Sequence, residues 1–265
     1  MPRYFIKLGY KGQQYSGFQA QDNANTVQAE LEKALNIYYR KRLPTLFPSG
    51  QGFELTGSSR TDAGVHALQN YFHVDAAEPL TQDAAKDCYH LNAILPGDIV
   101  VKQIVQVSDT AHCRFDALSR QYGYHIYGHK DPFLDDRAFY YPFTLDFDLL
   151  QSAAALLPSY SDFTSFSKRN SQVHTHICTI TQSEWVQQSD CWVYQVTANR
   201  FLRGMVRGLT GTMLLVGRKK ISLDQFKAII EAKDCTKADF SVPGHGLFLM
   251  NVHYPTDILP AKNDI

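Results

Sequence analysis

The chain has 265 residues, 26 of them Lys or Arg and 26 Asp or Glu, so its net charge is zero; 44% of residues are hydrophobic and 20% charged. That length suits one large domain or two modest ones with a sizeable core, and the composition is that of an ordinary soluble globular protein. No apolar run approaches the ~20 residues a membrane helix needs, and Met1-Pro2-Arg3-Tyr4-Phe5-Ile6 enters a strand pattern with no charged-then-apolar leader, so a cytoplasmic protein is expected. The five cysteines, at 88, 113, 178, 191 and 235, are odd in number and widely spaced, which argues for reduced thiols and against a disulfide framework.

In chain order, residues 3–10 alternate with Tyr4, Ile6, Leu8 and Tyr10 on one face, which predicts a strand. Residues 26–38 carry Val27, Leu31, Ala34, Leu35 and Tyr38 at helical spacing behind a cap at Asn25 or Thr26. Short strands are expected over 53–58 and 69–75, on either side of a turn at Arg60–Ala67. A helix follows from Thr81 to about Ala93, then a Val/Ile-rich strand over Ile99–Val107.

The same order then recurs: a strand at Arg120–Tyr127, a helix at Leu145–Leu157, strands at Ile177–Val186 and Trp192–Asn199, and a helix at Phe201–Val216 with an apolar stripe of Leu202, Met205, Val206, Leu209 and Met213. A further helix near Ser222–Ala232 and a strand at Leu247–Tyr254 close the chain. Exposed loops are expected over 40–52 and 128–144, and a frayed tail from Pro260. Both halves thus read β-α-β-β-α-β, the ferredoxin-like order. The fold class is α+β, with two ferredoxin-like halves whose antiparallel sheets flank a central cleft. The boundary falls near residue 110, giving halves of 1–110 and 111–265.

Charge is unevenly distributed. Residues 1–50 hold seven Lys/Arg and three Asp/Glu, and residues 51–150 hold seven against fourteen. Residues 199–220 carry Arg200, Arg203, Arg207, Arg218, Lys219 and Lys220 with no acid. A neutral protein can bind a polyanion through such a local field, and a solvated basic helix face reads the same way.

The stretch Ser59-Arg60-Thr61-Asp62-Ala63-Gly64-Val65-His66-Ala67 lies between two strands, where a rigid scaffold presents a loop. Gly64 permits a tight turn, and Arg60 can help keep the Asp62 carboxyl ionised. The residues alone suit an Asx-turn better, with Asp62 bonded to its own backbone and Arg60 on the surface.

This stretch resembles the signature loop of the pseudouridine synthases, in particular the bacterial tRNA pseudouridine synthase A family, with Ser59 in place of a Gly. Five further elements resemble that family in its order: Tyr10–Gln19, Arg114–Tyr124, Asp162–Phe166, Asn199–Arg207 and Pro243–Leu247. Lys11, Phe18 and Ser59 depart from its usual Asp, Trp and Gly, and Cys178 stands where a basic residue is expected. The resemblance implies isomerisation of uridine to pseudouridine at positions 38, 39 and 40 of the tRNA anticodon stem-loop, by a homodimer and with no cofactor or metal. It makes Asp62 the reactive carboxylate and Arg207 the cation that holds it charged. Tyr122 becomes the active-site tyrosine, for which the plain alternative is a core residue of a strand. Arg60 is the candidate for a phosphate contact or for wedging into the space of a flipped nucleotide, or else a surface arginine. Lys168, Arg169, Arg200, Arg203, Arg218, Lys219 and Lys220 are candidate RNA contacts; Arg203 and Arg207, four apart, are expected on one helix face.

Two rivals come from other classes. His174, His176 and Cys178 alternate on an extended segment, and His112-Cys113 lies elsewhere, but no fourth ligand has metal-site spacing. A non-catalytic RNA-binding protein is the other, since ferredoxin-like halves also serve that role.

Overall fold

The computed structural model describes residues 1–42, 52–169 and 173–259. The expected loop at 40–52 falls mostly outside these residues, and the expected frayed tail from Pro260 wholly so. The chain forms two compact units: Met1–Leu118 together with the chain from Asn251 onward, and Ser119–Met250. The division lies after Leu118 rather than near residue 110, and the C-terminal segment returns to the first unit.

In the first unit, strand β1 (Arg3–Tyr10) precedes helix α1 (Val27–Arg42), strands β2 (Thr56–Gly57) and β3 (His66–Asp75), helix α2 (Ala84–Ile94) and strand β4 (Ile99–Val107). β1 pairs antiparallel with β3 on one side and β4 on the other, and β2 pairs antiparallel with β3. The order is therefore β4-β1-β3-β2. Period-two alternation places Tyr4, Ile6, Leu8 and Tyr10 in the core, with Phe72 and Val74 of β3 and Leu31 and Leu35 of α1 also buried. Helix α2 starts three residues later than Thr81, because the Asp83 side chain accepts the Lys86 N–H at 3.0 Å and caps it. The returning chain adds Tyr254, whose ring packs edge-on against Phe5 at 5.5 Å and Tyr71 at 5.1 Å and whose hydroxyl donates to the Cys113 carbonyl.

The second unit holds strand β5 (Ser119–Tyr127), the short strand β6 (Phe139–Tyr140), helix α3 (Phe147–Leu156), strands β7 (Ile180–Gln188) and β8 (Cys191–Ala198), helices α4 (Met205–Gly217) and α5 (Leu223–Glu231), and strand β9 (Leu247–His253), whose last residues belong to the first unit. Its strand order is β9-β5-β8-β7. The β5–β8 and β7–β8 pairs are antiparallel, while β5–β6 is parallel, a short mixed pairing inside the expected loop at 128–144. Thus the fold is α+β, with a parallel pair where purely antiparallel pairing was expected.

Helix α4 departs most from expectation. It begins at Met205 rather than Phe201, because Gly204 sits at φ +75°, a left-handed conformation that interrupts the helical backbone. Arg200, Leu202 and Arg203 therefore precede the helix, and Arg203 shares no helix face with Arg207. Nor is α4 a basic helix with one apolar stripe. Met205, Val206, Leu209, Thr210, Thr212 and Met213 are all buried, and Arg207 is its one charged residue.

Candidate active site

The Asp62 loop is built entirely by the first unit. Val65 N–H donates to the Asp62 carbonyl at 3.2 Å, closing a four-residue turn. Gly64 sits third in that turn at φ +77°, the position where a type II turn needs a left-handed residue. The turn is thus closed by backbone, and Asp62 itself is half-buried.

The Tyr10–Gln19 element grips this turn from the other side. Phe18 N–H donates to the Thr61 carbonyl at 3.1 Å, and Gly64 N–H donates to the Tyr15 carbonyl at 3.3 Å. His66 Nδ1 accepts the Gly12 N–H at 3.2 Å. Gly12 is pressed so closely to the loop that a Cβ there would lie 1.9 Å from the Val65 carbonyl oxygen. The Phe18 ring stacks on Phe72 of β3, centroids 4.5 Å apart, and fills the space over Gly57, so phenylalanine serves as the apolar plug where the resembled family usually has tryptophan.

Beneath the loop lies a buried polar network. Asn70 of β3, with no exposed surface, donates its two amide hydrogens to the Ser59 carbonyl at 3.0 Å and the Tyr10 hydroxyl at 3.2 Å. Its oxygen accepts the Ser58 hydroxyl at 2.7 Å and the Tyr71 N–H at 2.9 Å. Tyr10 and Thr61 share a hydrogen bond of 2.9 Å. Burial pushes the Tyr10 phenol up to about 12, with the bonds from Thr61 and Asn70 opposing it, so it stays a neutral hydroxyl. Arg60 points outward; among the described residues its side chain makes no hydrogen bond or ion pair.

In the second unit Tyr122 is nearly buried on β5, opposite Val196 of β8, with its ring edge-to-face on Phe201 at 5.1 Å and 84°. Phe201 belongs to the segment ahead of α4, which also carries Arg200 and Arg203. The Asn199 side chain pins that segment, accepting N–H groups from Thr179 and Arg200, both at 2.8 Å. Lys168 N–H donates to the Arg203 carbonyl at 3.0 Å, so Lys168 and Arg203 come together although 35 residues apart in sequence. Arg203 is exposed. Arg207 Nε donates to the Val242 carbonyl at 2.8 Å, and the next carbonyl, of Pro243, accepts the Tyr124 hydroxyl at 2.8 Å. Burial raises the Tyr124 phenol above its ordinary value, and the Arg207 charge works against that rise.

Arg218, Lys219 and Lys220 lie at the far end of α4. Thirteen helical residues separate them from Arg203, about 20 Å of rise. The Arg218 guanidinium stacks over Phe143 at 3.7 Å, and Lys219 pairs with Asp146 at 3.0 Å. Arg169 is near enough to Asp234 to stabilise its charge. The basic run of 199–220 is therefore two groups. Tyr10 and Asn70 carry no site signal in the sequence beyond the place of Tyr10 at the head of an element that resembles the family.

Metal binding has one geometric candidate among the described residues. His174, His176 and Cys178 do not group. Among the described residues, His73, His112 and Cys113 are the His/Cys cluster with ligand atoms within 4.8 Å of one another. His73 Nδ1 accepts the Cys113 N–H at 3.2 Å, and His112 Nδ1 accepts those of Arg114 and Phe115 at 3.1 and 3.3 Å. A neutral imidazole with Nδ1 accepting carries its proton on Nε2. A metal on Nε2 would turn an Nδ1–H against a backbone N–H, the reverse of the outer-shell bond that ligating histidines make. These residues do not fit a metal site. All five cysteines are free thiols.

A family model described as tRNA pseudouridine synthase matches residues 8–116 and 153–255. A tRNA pseudouridine synthase A of Parabacteroides distasonis is 45% identical over 99% of this chain and 100% of its own length. The protein of that name from Bacteroides fragilis is 45% identical over 97% of this chain and 98% of its own length, and that from Bacillus subtilis 38% over 93% and 97%. With a family model spanning most of the chain and relatives matched nearly end to end, the chain belongs to the tRNA pseudouridine synthase family.

Proposed function

We propose that this protein isomerises uridine to pseudouridine at positions 38, 39 and 40 of the tRNA anticodon stem-loop, with the Asp62 carboxylate as the reactive group. The reaction breaks the ribose C1′–N1 bond, joins C1′ to C5 of the same uracil, removes the C5 proton and leaves a proton on N1. Atoms and electrons balance within the nucleotide, so the chemistry calls for no cofactor. The observation that carries the reading is the Asp62 loop: a half-buried carboxylate on a backbone-closed turn, clamped by a second loop and by a buried network. A group held this way meets a substrate with little reorganisation.

The other roles follow the family resemblance. Tyr122 packs against the uracil once the nucleotide leaves its stack. Arg207 keeps the Asp62 carboxylate charged. Arg60, exposed and unpaired among the described residues, meets a phosphate or fills the place of the flipped nucleotide. Lys168, Arg200 and Arg203 make up the principal cationic contact to RNA, with Arg169, Arg218, Lys219 and Lys220 more peripheral. The active species is a cytoplasmic homodimer. Strand orders β4-β1-β3-β2 and β9-β5-β8-β7 support a pair of ferredoxin-like halves. The test is incubation of unmodified tRNA with the protein alone, followed by mapping of pseudouridine: product at the three positions is expected, and a folded, tRNA-binding sample that forms none would favour a non-catalytic RNA-binding protein.

A further inference from the structure

The buried network under the Asp62 loop is more specific than structural support requires. Asn70 uses both amide hydrogens and both lone pairs of its oxygen, which fixes the orientation of the amide. Because Asn70 donates to the Tyr10 oxygen, the Tyr10 hydrogen is left to point away from Asn70. The Thr61 hydroxyl is its partner in reach, at 2.9 Å. Asn70, Tyr10 and Thr61 are thus joined in one unbranched order. A second bond from the same amide holds the Ser59 carbonyl at 3.0 Å. Residues 59 and 61, which flank the exposed Arg60 and lead into Asp62, thus both hang on a single β3 side chain. Tyr10 is 5% exposed and Thr61 8%, so solvent has little part in setting this order.

We infer that Asn70 and Tyr10 are positioning residues for the reaction, acting through Thr61 to hold Asp62 in its reactive place. This rests on the reading of Asp62 as the reactive carboxylate. Neither residue touches the RNA in this account, so each acts on the chemical step and not on affinity. A network that fixes a reacting group contributes in the transition state, where a small displacement of that group is costly.

The experiment compares Tyr10→Phe, which keeps the ring and deletes the hydroxyl, with Thr61→Val and Thr61→Ser, using unmodified tRNA under single-turnover and steady-state conditions. Tyr10→Phe and Thr61→Val are expected to lower kcat about tenfold or more with KM for tRNA within twofold, and Thr61→Ser to restore most of the loss. Tyr39→Phe, which removes a buried hydroxyl bonded to Asp87 between α1 and α2, is the control: a lower melting temperature with kcat unchanged. If Tyr10→Phe lowers only the melting temperature, as the control does, or raises KM with kcat intact, the inference is overturned. Should Thr61→Val fold poorly, Tyr10→Phe decides alone. An Asp62→Asn protein that still turns over would remove the underlying reading instead; an inactive Asp62→Asn beside an unimpaired Tyr10→Phe would remove only the positioning role.

Discussion

The Asp62 loop and the segment ahead of α4 carry the two halves of the candidate chemistry, and they are held in different ways. The Asp62 loop is closed on itself by backbone, clasped by the Tyr10–Gln19 element and seated on an amide with every bond satisfied. The 199–204 segment is tied mainly at its first residue, by the Asn199 side chain, the Asn199 N–H on the Thr179 carbonyl and Arg120 on the Asn199 carbonyl, with a backbone bond from Lys168 to Arg203 further on, and it leaves the Arg203 side chain in solvent. The contrast matches two tasks. A carboxylate that must react needs a fixed place, because misplacement by an ångström costs rate. A cation that meets a phosphate gains from a long, mobile side chain and pays little for imprecise placement.

The clamped region is the easier one to break. Gly12→Ala puts a methyl group where the Val65 carbonyl stands. It should destabilise the protein by about 3 kcal/mol and remove most activity, because the loop must move to admit it; denaturant unfolding and a turnover assay read both effects. An alanine tolerated without loss of either would show that the loop is not pressed against Tyr10–Gln19.

A smaller effect concerns acid. His73 is held down to about 4, first by burial, then by the charge of Arg3 and by His112, with Asp75 and Asp116 opposing. Its folded value is depressed, so the stability it contributes is present above the unfolded value of about 6.5 and is lost as pH falls toward 4. Unfolding free energy should fall by on the order of 2 kcal/mol between pH 6.5 and pH 4.5 from this residue. His73→Gln should flatten that slope; an unchanged slope would assign the acid sensitivity to other groups.

The smallest effect tests the loosely held region. Arg203→Ala should weaken tRNA binding several-fold and reduce the salt dependence of affinity by about one counterion. Arg218→Ala should change neither by much, since Arg218 already stacks on Phe143 beside a Lys219–Asp146 pair. Equal losses from the two would show that the cations at both ends of α4 act as one surface.

How much of this was legible in the sequence varies with the source of each feature. Strand β4 is legible to its true ends, because six of the nine residues from Ile99 to Val107 are Val or Ile, and Gly97-Asp98 and Ser108 bound them. Helix α4 was started four residues early, because Phe201 and Leu202 continue the apolar spacing of Met205 and Val206, and only the backbone angle at Gly204 stops the helix. Strand β6 is two residues long and gives no periodicity to read. Arg203 and Arg218 looked like parts of one charge run because a helix hides its length in a linear sequence. The Asp62 loop was found by its resemblance, yet its support was not: Asn70 lies in a strand whose pattern says only that it faces inward, and nothing in the order of residues shows that it meets Tyr10, sixty positions earlier.

The central claim is that Asp62 performs the reaction while the rest of its loop holds it in place. Pseudouridine formed in unmodified tRNA, with no added cofactor, should be measured for the wild-type protein and for Asp62→Asn, with tRNA affinity determined on the same samples. The account predicts product from the wild type, at least about a thousandfold less from Asp62→Asn, and affinities within a few-fold of each other. Turnover retained by Asp62→Asn would contradict it.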